Sequence, residues 1–228
     1  MTIFRFALMR GLRKKSMFAA LFAVPLAMIF IRPLWTPENG AGFVFYGMVI
    51  LFAAFSLVRL IMTDRVSGTI VRIFAAPVTT FQYLSQNLLA YWLILGIQTV
   101  VMVAVGAMLY EWGIEMAAQL ILCYTVFAVA SIALSLAWTS LFRSKVISDA
   151  VFSIVVSFMA LLGGIFIPLS MLPDILRKIG MLFPTYWFSN SLLGIRDGAA
   201  SREYWLSLLI MLLLSAASLL YGSKRRLE

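Results

Sequence analysis

The chain has 228 residues, 63% of them hydrophobic and only 12% charged, with a formal net charge of +9. A water-soluble domain of this length carries about twice that charged fraction, so the composition excludes an ordinary soluble fold. The apolar residues fall in six blocks, roughly 17–34, 42–62, 88–110, 116–141, 147–167 and 203–222, each near the ~20 residues a helix needs to cross a bilayer core. Backbone groups in lipid must bond within their own segment, so blocks this long predict helices. Barrel strands would be shorter and would alternate apolar with polar residues. The expected class is an all-α membrane protein with six transmembrane helices in a single domain, 1–228.

The N-terminus has a basic front and an apolar run, like a signal peptide. No small-residue cleavage site follows, and the run continues to Ile31 before Arg32 and Pro33 end it, so a retained first span is expected. Before it, Phe4, Ala7, Leu8, Gly11 and Leu12 fall on one helical face, with Arg10, Arg13 and Lys14 opposite. This pattern predicts that 1–15 forms an amphipathic helix in the cytoplasmic headgroup layer; the alternative is a solvated basic tail that only fixes topology. With the N-terminus inside, 13 of the 18 Lys and Arg residues lie on the inner side. The other five are Arg32, Arg177, Lys178, Arg196 and Arg202. That bias predicts that both termini are cytoplasmic. It also accounts for the positive charge without nucleic acid as a partner.

The second block carries Phe45, Met48, Phe52 and Phe55, with Arg59 near enough to the inner surface to anchor the span by snorkelling. Residues 63–87 then form the longest mostly polar interval. Asp64 is placed to favour a helix N-terminus. Ile70, Ile73, Phe74 and Pro77 follow at helical spacing, and Pro77 stops that helix. A second short piece, 78–87, leads into the third span. A cytoplasmic helix with an apolar edge must bury it, either on its own bundle or on a soluble partner. Further on, Gln98 is a buried amide suited to bonding between helices. Cys123 is the single cysteine, so no disulfide forms within one chain. The fifth block carries Phe152, Met159 and Phe166. The outer segment 168–202 is too long for a turn and too apolar for a solvated loop. There Pro173 is expected to start one helix through Phe183, and Pro184 another through Arg196. Each is too short to span, which predicts re-entrant or surface-lying helices.

The stretch D-R-V-S-G-T-I-V-R-I-F-A-A-P-V, from Asp64 to Val78, resembles the first cytoplasmic loop of ABC-2 type permeases. Asp64 stands where that family usually has Glu, Gly68, Thr69, Pro77 and Val78 fit, and Val71-Arg72 occupies the place of a frequent second acid. The segment G-G-I-F-I-P-L-S-M-L-P through G-I-R-D-G, residues 163–198, is similar to the family's region between its last two spans. The resemblance implies a transmembrane subunit of an ATP-binding cassette exporter in a bacterial or archaeal cytoplasmic membrane. Two permease chains, identical or homologous, would work with two copies of an ABC ATPase that binds ATP and Mg, and no cofactor would sit on this chain. It further implies that 63–87 carries a coupling helix, with Asp64, Gly68, Thr69, Ile70, Ile73, Phe74 and Pro77 meeting the ATPase. The second and fifth spans would line the pathway with Phe45, Met48, Phe52, Phe55, Phe152, Met159 and Phe166. The outer gate would turn on Pro168, Pro173 and Pro184. A dimer face on the first, second and fifth spans would use Gly42, Gly47, Gly163 and Gly164 for close approach.

What is missing narrows the function. No G-x-x-x-x-G-K-[ST] phosphate loop occurs, so ATP chemistry must come from another polypeptide. Histidine is absent, which removes the usual base and zinc ligand of a membrane-embedded enzyme. No pair of acids lies within a span, as an ion-coupled carrier would need. An apolar, aromatic pathway suits a hydrophobic or amphipathic cargo: a drug, a peptide antibiotic or a lipid-like molecule. A channel or lipid scramblase that needs no ATPase is the alternative.

Overall fold

Small residues decide where the helices of this chain can touch. In the computed structural model, residues 2–13, 15–36, 40–69, 73, 75, 77–142, 144–196 and 202–224 are described. Their regular structure is entirely helical: α1 (Thr2–Arg13), α2 (Lys15–Ile29), α3 (Ala41–Val66), α4 (Thr80–Tyr110), α5 (Ile114–Leu141), α6 (Lys145–Leu162), α7 (Asp174–Gly180), α8 (Pro184–Arg196) and α9 (Arg202–Lys224), with 3-10 turns at Arg32–Leu34 and Leu169–Met171.

α5 is the hub. About it pack α3, α4, α8 and α9, and 72% of its most apolar window is buried, against 28% for α6 and α9. Its buried positions include Ala128, Ala130, Ser131, Ala133, Ser135 and Ala137. Lipid tails are as apolar as leucine, so helices gain by close packing rather than by escaping water, and small residues allow it. Gly222 of α9 shows how close: a Cβ there would lie 3.3 Å from Ala137 Cα. Tyr46 of α3 and Thr99 of α4 bond across the interface at 3.3 Å, and the Tyr124 hydroxyl of α5 donates to Phe43 O at 3.0 Å.

Five helices, α3, α4, α5, α6 and α9, are long and apolar enough to cross a membrane. The expected first span is shorter. α2 has 15 residues, about 22 Å of helix against a hydrocarbon core of about 30 Å. Pro25 lies inside it, and the 3-10 turn at Arg32–Leu34 re-aims the chain before Pro33 and Leu34 have lengthened the helix. Its last carbonyls are satisfied from elsewhere: Trp35 Nε1 donates to Met28 O at 2.9 Å and the Tyr110 hydroxyl to Ile29 O at 2.6 Å.

The outer segment divides at the expected prolines. Pro168 precedes the second 3-10 turn, Pro173 precedes α7, and Pro184 opens α8. α7 ends at Gly180 rather than Phe183. Its Ile175, Ile179 and the following Leu182 are exposed. α8 is instead built into the bundle. Phe188 is fully buried, stacks on Phe127 at 4.2 Å and tilts against Tyr124, and Ser191 Oγ lies 2.9 Å from Cys123 Sγ. Those α5 residues lie about ten positions from its start, so α8 reaches about 15 Å along α5.

Candidate functional site

The interval between α3 and α4 is built by two well-defined ends. α3 stops because Gly68 takes φ 69°, a left-handed conformation that glycine adopts without cost. Ser67 N donates to Thr63 O at 3.1 Å and Gly68 N to Arg65 O at 3.0 Å, closing the last turn. α4 starts on a capping box: Gln82 N donates to Thr79 Oγ1, and Thr79 N to Gln82 Oε1, both at 3.2 Å. Thr79 and Gln82 make this T-x-x-Q signature readable in the sequence, yet it was expected that 78–87 would form a separate piece. Instead α4 runs unbroken for 31 residues from Thr80.

The site residues divide accordingly. Asp64 lies in the last turn of α3, not at a helix N-terminus, because the helical run continues through Arg65 and Val66 until Gly68 breaks it. Its carboxylate pairs with Arg10 of α1. Thr69 is exposed, its hydroxyl 2.9 Å from Ser67 Oγ; Ile73 is half-buried against the chain's own core; Pro77 is exposed. Ile70 and Phe74, like Val71, Arg72 and Ala76, lie outside the described residues. Thr69, Ile73 and Val78 line a cavity of about 460 Å³ whose other wall is Ile3, Phe6, Ala7 and Arg10 of α1 and whose floor includes Asp64, Tyr83 and Asn87.

Arg10 corrects the expected helical wheel. It was placed with Arg13 on the solvent face, but it turns inward beside buried Ala7 and Gly11, while Arg5, Arg13, Phe6 and Met9 remain exposed. Arg10 Nη2 donates to Asn87 Oδ1 at 2.8 Å and to the Tyr91 hydroxyl. Its carbon Cζ sits 5.9 Å from the Tyr91 ring centre. Helical periodicity on its own does not distinguish an outward arginine from one drawn in by a carboxylate 54 positions away.

Other cations also tie the same end of the bundle. Arg65 Nη1 donates to Thr139 O at 2.7 Å, in the last turn of α5, where a cation meets the negative helix end. Lys145 Nζ donates to Thr63 Oγ1 at 3.3 Å. Arg59, expected only to anchor the second span, pairs with Asp149 of α6 at 2.7 Å. Asp149 was missed; its place one turn into a helix following an inner-side basic cluster was the available signal.

Of the residues assigned to a pathway, Phe52 and Phe55 of α3 meet Phe152 of α6, and Phe45 meets Phe166 beyond the end of α6. Phe55 stacks on Phe152 at 3.6 Å and 7° between ring planes, and both are buried with Met159. Phe45 and Met48 are half-buried, whereas Phe52 and Phe166 are exposed. The glycines expected at a dimer face are spent inside the chain as well. A Cβ on Gly42 would meet Trp35 at 2.8 Å, one on Gly47 would overlap Phe188, and those on Gly163 and Gly164 would meet Met159 O at 2.5 Å and Leu169 at 2.6 Å. Gln98 does not bond between helices either: both amide atoms are buried without a hydrogen-bond partner among the described residues, and Thr99 makes the interhelical bond.

The family model for ABC-2 family transporter proteins matches residues 36–224, which is most of the chain. The chain belongs to the ABC-2 transporter family. It is therefore a multi-pass membrane component of a transporter, of a kind that has no nucleotide-binding site of its own and normally works with an ABC ATPase. The match begins after α2, so the Arg10 side of this cluster lies outside it, whereas Asp64, Asn87 and Tyr91 lie within. No curated protein matches the permease.

Proposed function

We propose that this permease is the transmembrane subunit of an ATP-driven exporter for a hydrophobic or amphipathic molecule such as a drug, a peptide antibiotic or a lipid-like compound. Two permease chains act with two ATPase subunits that bind ATP and Mg, in the cytoplasmic membrane of a bacterium or archaeon. α1 lies at the inner headgroup layer, α2 is counted as the sixth span, both termini are cytoplasmic, and the interval from Ser67 to Thr79 is the contact with the ATPase. Pro168, Pro173 and Pro184 frame the outer gate. The observation that supports this reading is the interval itself. In a family powered by a separate ATPase, it holds apolar Ile73 and Val78 beside an apolar-walled cavity at the ends of two long helices.

Two measurements test the reading. Cysteine at Ala41 or Glu115 is expected to react with an impermeant thiol reagent from outside, and cysteine at Ser67 is not. Native Cys123 is fully buried and stays silent, so a reversed labelling pattern would overturn the orientation. The assembly is tested by mass measurement of the purified, ATP-hydrolysing particle. Two permeases and two ATPases are expected, and activity in a particle with a single permease chain would refute the stoichiometry.

A further inference from the structure

We infer that Arg10 is a positioning residue for the cytoplasmic interval: a single guanidinium of α1 clamps the end of α3 to the start of α4 and so fixes the separation of the two ends of 67–79. One face of the group goes to each side. Nη1 donates to Asp64 Oδ2, three residues before Ser67, and Nη2 donates to Asn87 Oδ1 and the Tyr91 hydroxyl, in the third and fourth turns of α4. The planar fork of arginine suits this division, since its donors point in fixed directions.

The acceptors are prepared for it. Asn87 Nδ2 donates to Tyr83 O at 2.8 Å, which turns the amide oxygen toward Arg10. Asn87 and Tyr91 are fully buried, and the Arg10 and Asp64 side chains are about one-fifth exposed, so water competes weakly for these bonds.

Docking of α1 does not itself require this cation. The Phe4 amide, which has no partner within its own first turn, donates to Gln86 Oε1 at 3.1 Å. Gly11 lets α1 approach Ile94, where a Cβ would lie 2.7 Å from Cδ1. Those contacts hold α1 mainly on α4, with Leu57 of α3 an apolar neighbour across, 3.5 Å from the Gly11 Cβ position. Arg10 adds a charged tie to the last turn of α3, nearer the interval than Leu57, which makes α1 a brace across the base of the interval. The consequence for transport rests on the proposed reading of that interval as the ATPase contact; the brace does not.

The experiment uses the full permease in lipid nanodiscs, spin-labelled at exposed positions 63 and 81 (T63C and F81C), with buried Cys123 left in place. The wild-type chain is expected to give one narrow distance distribution. R10Q, which keeps length and hydrogen bonding but loses the charge, is expected to broaden it and shift it outward by several ångströms. The swap R10E with D64R is expected to narrow it again. D64N, nearly isosteric and still an acceptor, is expected to broaden it less than R10Q and is the deciding variant should R10Q not assemble. An unchanged distribution in folded R10Q, or in folded D64N if R10Q fails, would overturn the brace. A broadened distribution with normal ATPase retention and turnover would uphold the brace and defeat the reading of 67–79 as the coupling contact.

Discussion

Phe74→Ala is expected to abolish transport and to strip the ATPase from the purified permease, while membrane insertion and permease dimerisation persist. Thr69 and Ile73, four apart, line the cavity against α1. Helical spacing in the sequence puts Ile70 and Phe74 on a stripe of their own beside that of Thr69 and Ile73. Truncating a fully buried aromatic costs on the order of 3–5 kcal/mol, and an interface anchor commonly exceeds about 2. Even the lower figure weakens association about 30-fold. Arg72→Ala should do far less, since a rim charge contributes about 0–1 kcal/mol. ATPase retained per permease, measured by quantitative mass spectrometry on both variants, decides the matter. If Phe74 packs on its own bundle instead, Phe74→Ala lowers thermal stability and leaves the stoichiometry intact.

Gly47→Leu is expected to be the most damaging single change inside the bundle. A Cβ at Gly47 would lie 2.7 Å from Phe188 Cζ and 3.0 Å from Cδ1. Phe188 cannot yield, because it is fully buried, stacked on Phe127 and tilted against Tyr124. Overpacking typically costs about 1–3 kcal/mol, and more where a rigid ring blocks relaxation. At a few degrees per kcal/mol for a chain of this size, the melting midpoint should fall by roughly 5–10 °C. Gly96→Ala is the matched control: no atom lies within 4 Å of its Cβ position. Alanine there removes glycine's helix penalty of about 1 kcal/mol, so its midpoint should hold or rise. Equal midpoints for the two variants would mean that α8 does not pack on α3 as described.

Much of the helical layout was legible in the primary structure, because long apolar blocks in lipid leave the backbone no other solution. Pro173 and Pro184 likewise announced α7 and α8, since proline fixes a first-turn dihedral. The pairings were not legible. Whether Phe55 faces a cargo or Phe152 depends on how α3 and α6 are rotated about their axes, and α3 is apolar on all its faces. Glycine poses the same problem: Gly47 and Gly163 signal a close approach without saying to what, and the neighbours are Phe188 and Thr185 of the same chain. For Arg10 and Asp64, Arg59 and Asp149, the partners are far apart in sequence and each alone reads as a surface charge. Only the tertiary fold reveals that they cancel one another.

α4 is long enough to act as a lever. Its 31 residues make a rod of about 46 Å, longer than the hydrocarbon core by about 16 Å, with the Thr79 box at one end and Glu111, at φ 54°, turning the chain at the other. The Arg10 bonds grip the rod toward its Thr79 end, and at the other end Trp112 packs against Tyr110, Trp35 and Phe43. A pivot of about 5° about the Thr79 end swings the Glu111 end by about 4 Å on that length, roughly the thickness of an aromatic ring. If the ATPase acts on the Thr79 end as proposed, a rod of this length would carry that tilt to the Glu111 end as a displacement large enough to part a stacked aromatic pair.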